Sequence, residues 1–350
     1  MRPFSLFLTA LIIAAGTIGC TKKAPKPEEA VTIDSTKLAA FKPLPVDMPS
    51  DSNPISPEKA ELGRMLYFEK RLSKSQQFSC NSCHNLTTYG VDNQPVSTGH
   101  NEQKGNRNSP TVYNAAGQIA QFWDGRAASV EEQAKGPILN PVEMAMPDSA
   151  TVIKTLKSIP GYEEAFAKAF PGEKDPITYN NLGKAIGAFE RKLVTPSRWD
   201  QFLKGDKTAL TDEEKSGFNT FVDAGCSSCH SGQYLGGKMF QKLGLAKEWH
   251  ITADSGRVKV TKQESDKFVF KVASLRNISQ TGPYFHDGSI DSLHKAVSSM
   301  GDVQLNKKLS SQEVQAIVAF LKTLTGQIPA EYIQEPKLPE NGPKTPQPKS

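Results

Sequence analysis

Cysteine is sparse in this chain. Five residues in 350 are far fewer than the cross-linking density that replaces a hydrophobic core in small secreted folds. Alternation of apolar and polar residues is equally scarce, which leaves little room for β structure. No basic run is interleaved with aromatics, so no nucleic-acid surface is expected. The apolar run from Phe4 to Ala15 is shorter than the roughly 20 residues that a permanent membrane-spanning helix needs. The formal charge of +5 sits partly in the terminal segments and identifies no partner.

What cysteine there is falls into a pattern. Cys80-Asn-Ser-Cys83-His84 and Cys226-Ser-Ser-Cys229-His230 use every cysteine except Cys20. Two thiols at this spacing can bond a haem edge while the next imidazole reaches the iron, so each pentad predicts one covalently bound haem c. A redox Cys-x-x-Cys needs no adjacent base, and a zinc ribbon needs four thiolates converging on one ion. Two haems are therefore expected, with His84 and His230 as proximal ligands.

Arg2, the Phe4–Ala15 run and Thr17-Ile18-Gly19-Cys20 have the charged start, short apolar core and small residues of a secretion signal. The end of this stretch is similar to a bacterial lipoprotein cleavage box, although Thr17 stands where such boxes usually carry leucine. Residues 1–19 are expected to be a signal peptide of that type. Lipidated Cys20 would then anchor the protein to a membrane in the bacterial periplasm, the compartment where haem is joined to Cys-x-x-Cys-His.

Residues 20–54 and 327–350 are rich in Pro and Lys and lack apolar periodicity able to offset ordering entropy. A flexible tether and a tail are expected there. Between them lie two domains, 55–195 and 196–326, which repeat one order of features. Phe122-Trp123-Asp124-Gly125 matches Phe285-His286-Asp287-Gly288, and Arg107-Asn108 matches Arg276-Asn277. Ser56-Pro57-Glu58 and Thr211-x-x-Glu214 open helices that carry Gly63 with Tyr67, and Gly217 with Phe221, one turn apart. A glycine in such a place lets a second helix cross closely. Ser310-x-x-Glu313 opens another helix, and 151–170 and 177–193 read as amphipathic helices. A short hairpin is expected between Val258-Lys259-Val260 and Phe268-Val269-Phe270. The fold class is mainly α: two cytochrome c-like haem domains with little β structure.

The sixth position of each iron decides function, because a thioether raises the potential, a second imidazole lowers it, and an open face admits substrate. For the second haem the candidates are Met239, Met300, His250, His286 and His294. Met300, on the helical stretch after Phe-x-Asp-Gly, has room to reach the far face. In the first half His100 lies in a polar, Gly-rich stretch suited to a mobile loop. Met144 is its rival, and Glu143 beside it is a carboxylate where a proton shuttle would be useful.

The series Cys80-x-x-Cys83-His84, Gly99-His100, Arg107-Asn108-x-Pro110-Thr111-Val112, Gln121-Phe122-Trp123-Asp124-Gly125-Arg126, Gln133-Ala134-Lys135-Gly136-Pro137 and Val142-Glu143-Met144 resembles the bacterial dihaem cytochrome c peroxidases. Leu275-Arg276-Asn277, Pro283-Tyr284-Phe285-His286 and Met300-Gly301 continue the resemblance to about Gly326. It implies a low-potential peroxidatic haem in the first half, with His100 as a removable distal ligand and Glu143 and Gln133 in the distal pocket. It also implies a high-potential haem with Met300 in the second half, and Trp123 on the electron path between them. A calcium ion is implied at Asn108, Thr281 and Pro283. The implied partners are hydrogen peroxide and a small cytochrome c or cupredoxin, and the implied assembly is a homodimer. Asn101-Glu102 and Asn106 depart from the aromatic and Pro that many relatives carry in the His100 loop. Two other readings are a dihaem electron carrier and the related dihaem enzymes that oxidise tryptophans of a partner protein. Met300 argues against the second, since a Tyr replaces it there.

Overall fold

A computed structural model describes residues 1, 3–4, 30–250 and 253–349; Cys20 and most of the expected signal lie outside the described residues. From Val31 onward the chain is one unit in which two helical lobes repeat the same crossing. In the first lobe, α1 (Pro57–Phe68) begins where the Ser56 hydroxyl accepts the Lys59 N–H and Pro57 sets the first helical residue. It packs on α5 (Tyr179–Glu190). A Cβ on Gly63 would lie 1.9 Å from the Ala185 carbonyl oxygen and 2.8 Å from the Phe189 Cβ, so only glycine admits this approach. Between them come α2 (Val130–Leu139), α3 (Ser149–Lys157) and α4 (Pro160–Ala169). The single helix expected over 151–170 is two, because Pro160 cannot continue α3 and starts α4 instead.

In the second lobe, α6 (Arg198–Leu203) precedes α7 (Asp212–Ala224), which is opened by the reciprocal Thr211/Glu214 capping box and closed by Gly225 at φ 98°. Beyond α8 (Leu293–Leu305), α9 (Ser311–Lys322) crosses α7. A Cβ on Gly217 would lie 2.0 Å from the Ala316 carbonyl oxygen and 3.1 Å from the Phe320 Cβ. Ala185/Phe189 and Ala316/Phe320 thus form a second matched pair that the sequence reading passed over.

The Phe-x-Asp-Gly repeats are matched loops. Phe122 and Phe285 have φ of 64° and 70°, and Gly125 and Gly288 have 68° and 63°. The structural partner of Asn277, however, is Asn114 and not Asn108. Asn114 and Asn277 both turn left-handed (φ 59° and 61°) just before a 3-10 turn, and each stands eight positions before its Phe. Two-letter matches carry too little information to fix register.

The expected hairpin forms with a different partner. Val258–Thr261 makes a helical turn, while β1 (Phe240–Lys242) pairs antiparallel with β2 (Val269–Lys271). The terminal segments also differ from the expected tethers. Phe41 packs edge-on against Trp199 and Phe218, the Leu44 N–H donates to Asp200 at 2.7 Å, and the Met48 N–H donates to the Arg191 carbonyl at 2.9 Å. Residues 31–54 therefore strap both lobes. In the tail Tyr332 stacks on Phe189, and Thr345 donates to the Ser158 carbonyl. Isolated anchors replace the periodic face that would have signalled order.

Candidate active site

The first pentad is one helical turn, Cys80–Cys83, opened by a capping box between Ser79 and Ser82. An i, i+3 spacing puts both thiols on one side, and His84 follows at the end of the turn. Tyr67 of α1 donates to the His84 carbonyl at 2.6 Å, and His84 Nδ1 faces the Gly90 carbonyl at 3.4 Å. In the second pentad a 3-10 turn, Cys226–Ser228, leads to His230, whose Nδ1 lies 3.1 Å from the Leu235 carbonyl. A carbonyl at Nδ1 selects the tautomer that leaves the Nε2 lone pair free for a metal. Burial holds both imidazoles below the ordinary histidine pKa, so they stay neutral and able to ligate.

His100 begins a 3-10 turn, His100–Glu102, and is 4% exposed. Neither ring nitrogen has a hydrogen-bond partner. Two orphan nitrogens in a buried imidazole are costly unless another group meets them, and a haem iron is a group this donor fits. The loop is seated on the segment that bears Glu143. The His100 N–H donates to the Glu143 carbonyl at 2.9 Å, and a Cβ on Gly99 would fall 2.2 Å from the Val142 carbonyl oxygen. Burial raises the Glu143 pKa, against the opposing pull of Arg126 and the 2.8 Å hydrogen bond from Asn140 Nδ2. Gln133 is partly buried on α2, one turn before Pro137. Met144, the rival ligand, is packed into the first lobe's apolar core.

Met300 lies on α8 and lines a cavity of about 260 Å³ together with Cys226, Cys229 and His230. Of the five candidates for the second iron, Met300 and His286 line this cavity. His286 stacks on Phe270 at 4.2 Å and meets Trp123 edge-on at 6.5 Å. Asn108, Thr281 and Pro283 belong to the same wall. The Asn108 side-chain oxygen and the Thr281 and Pro283 carbonyls accept no hydrogen bond among the described residues. Three free hard oxygens suit calcium.

Trp123 joins the two halves. Its indole N–H donates to the Asn108 carbonyl at 2.9 Å, and its own carbonyl accepts the Lys271 N–H at 2.7 Å. Arg107 holds the adjacent Asp124 at 2.7 Å and Asp254 at 2.5 and 3.0 Å. Sequence reasoning missed Asp254, because no local spacing links positions 107 and 254.

Two carbonyl-oriented pentad histidines on duplicated helical lobes define a dihaem c-type cytochrome. Residues 57–208 match the family described as di-haem cytochrome c peroxidase, and residues 215–325 match cytochrome c. The chain is 48% identical to the cytochrome c551 peroxidase of Pseudomonas aeruginosa over 316 residues, 89% of this chain and 90% of that protein. It is also 48% identical to the cytochrome c551 peroxidase of Nitrosomonas europaea over 295 residues, 84% of this chain and 87% of that one. A solved MauG-like protein associated with microbial copper homeostasis superposes with a TM-score of 0.76 at 28% identity, over 84% of this chain and 97% of its own. The chain belongs to the dihaem cytochrome c peroxidase family, oxidoreductases that act on peroxide. No helix among the described residues is long and apolar enough to cross a membrane.

Proposed function

We propose that this protein reduces hydrogen peroxide to water at the His84 centre, with electrons that arrive at the His230/Met300 centre from a small periplasmic cytochrome c or cupredoxin. The observation that carries the reading is His100, a buried imidazole with both nitrogens unpartnered, bonded through its backbone to Glu143. Bound haem c supplies reversible one-electron chemistry and a coordination site at each centre. His100 is the removable ligand. It leads into Asn101 and Glu102, whose φ of 53° and 58° lie in the left-handed region, common for asparagine and uncommon for glutamate. Once His100 withdraws, Glu143 moves a proton from the inner to the outer peroxide oxygen, and Gln133 orients the substrate. The raised pKa of Glu143 brings its proton affinity closer to that task.

Trp123 carries electrons between the lobes. Asn108, Thr281 and Pro283 hold a calcium ion that fixes the wall around it. Relatives named for cytochrome c551 support a c-type cytochrome as donor. The reading includes a periplasmic location, a lipid anchor at Cys20 and a homodimer. Its test is the spin state of the first haem before and after one-electron reduction, followed by peroxide and a reduced cytochrome c. A low-spin to high-spin change and fast donor oxidation are expected. A protein that stays six-coordinate at both irons in every redox state would instead be an electron carrier.

A further inference from the structure

Lys271 closes β2 and is 8% exposed, yet among the described residues no carboxylate lies within ion-pair distance of it. An ammonium carries three donors. The Lys271 Nζ uses one, to the Ala120 carbonyl at 2.8 Å. The carboxylate with most influence on it, Asp124, is already engaged by Arg107 at 2.7 Å and Arg126 at 3.1 Å. Asp254 is likewise held by Arg107, Lys259 and the Gly256 N–H. A buried cation in this position must either give up its proton or meet an anion supplied from elsewhere. Burial without such an anion drives its pKa down to about 7.

Lys271 also lines the cavity shared by Cys226, Cys229, His230 and Met300. A haem brings carboxylates of its own on its propionate arms. We propose that the Lys271 ammonium binds a propionate of the haem held by the second pentad and sets that haem's potential. The inference rests on the second centre being the one that receives electrons. A cation beside the ring disfavours the extra positive charge of ferric iron, so it favours reduction. Through its backbone N–H the same residue holds the Trp123 carbonyl, which ties the tuned haem to the loop that bears the bridging indole.

Spectroelectrochemical titration of both haems in the full holoprotein tests this, with Lys271→Met and Lys271→Arg compared with the parent chain. In Lys271→Met the reduction equilibrium constant of the second haem is expected to fall about tenfold, which is 59 mV for one electron. Lys271→Arg should stay within about threefold, and the first haem should not move in either variant. Should the Met variant fail to fold, Lys271→Gln removes the charge while keeping a donor for Ala120. Resonance Raman spectra should show the propionate bending mode moved in the neutral variant and unmoved in Lys271→Arg. An unchanged second-haem potential in a neutral variant, or a shift confined to the first haem, overturns the proposal. No peroxide or protein donor enters the titration, so that failure would leave the peroxidase reading untouched, and an inactive parent enzyme would leave the Lys271 pairing untouched.

Discussion

Replacing Arg107 with methionine removes the clamp that fixes the Trp123 loop. The guanidinium makes three charged hydrogen bonds, one to Asp124 and two to Asp254. Its side chain is 13% exposed and those of its partners 7% and 9%, so solvent screens little of the interaction. Bonds to charged groups contribute roughly 1.5–3 kcal/mol each, which bounds the loss at about 4.5–9 kcal/mol. Asp124 keeps Arg126, and Asp254 keeps Lys259 and the Gly256 N–H, so the lower part of that range applies. It agrees with the roughly 3–5 kcal/mol lost when one partner of a buried pair is removed. At about 2 °C per kcal/mol for a chain of this size, a loss near 4.5 kcal/mol lowers Tm by roughly 9 °C.

The pH dependence has a definite sign. Burial alone would raise the Asp254 pKa, but Arg107 and the Gly256 N–H hold it well below the usual carboxylate range. A depressed folded pKa means stabilisation that is complete above the unfolded value, near 4, and fades as pH falls toward the folded one. The variant should therefore show a shallower acid limb as well as a lower plateau. Guanidinium unfolding followed by far-ultraviolet circular dichroism from pH 7 down to pH 3 measures both. A variant within 1 kcal/mol of the parent, with the same acid slope, would refute the clamp.

Glu143→Gln should lower kcat by roughly 10²–10⁴-fold, the usual contribution of general acid–base catalysis, with both haem spectra unchanged. A fully active variant removes Glu143 from the proton path. Glu190 is buried, and burial pushes its carboxyl up to about 8. A raised folded pKa means that its contribution to stability is full below about 4.5 and declines as pH climbs toward 8. Glu190→Gln should flatten that decline in equilibrium unfolding, and parallel curves for the two proteins would show that Glu190 does not titrate in this window.

The two haem c motifs were legible because covalent haem attachment imposes local spacing. The capping boxes at Thr211 and Ser310 and the glycines at 63 and 217 each announce a constraint within a few residues, and each forms the local feature expected of it. Signals of that kind fail where partners are remote. β1 has three residues and no alternation to read, so the strand that pairs with 269–271 lay outside the expected hairpin. Phe41, Leu44 and Met48 are anchored singly across a Pro-rich stretch, and a single apolar residue has no period. Asp254 joins Arg107 only once both lobes have folded.

The duplicated crossing also says how two unequal halves can arise from one plan. Gly63 against Ala185 and Gly217 against Ala316 leave no space for even a methyl group, so a larger residue at either position would push its two helices apart. The Gly99–Gln103 segment, a 3-10 turn in the first half, and α8, a full helix in the second, bear no resemblance to each other although the crossing beneath them is repeated. One helical frame, built twice, thus carries two unlike sets of connecting segments.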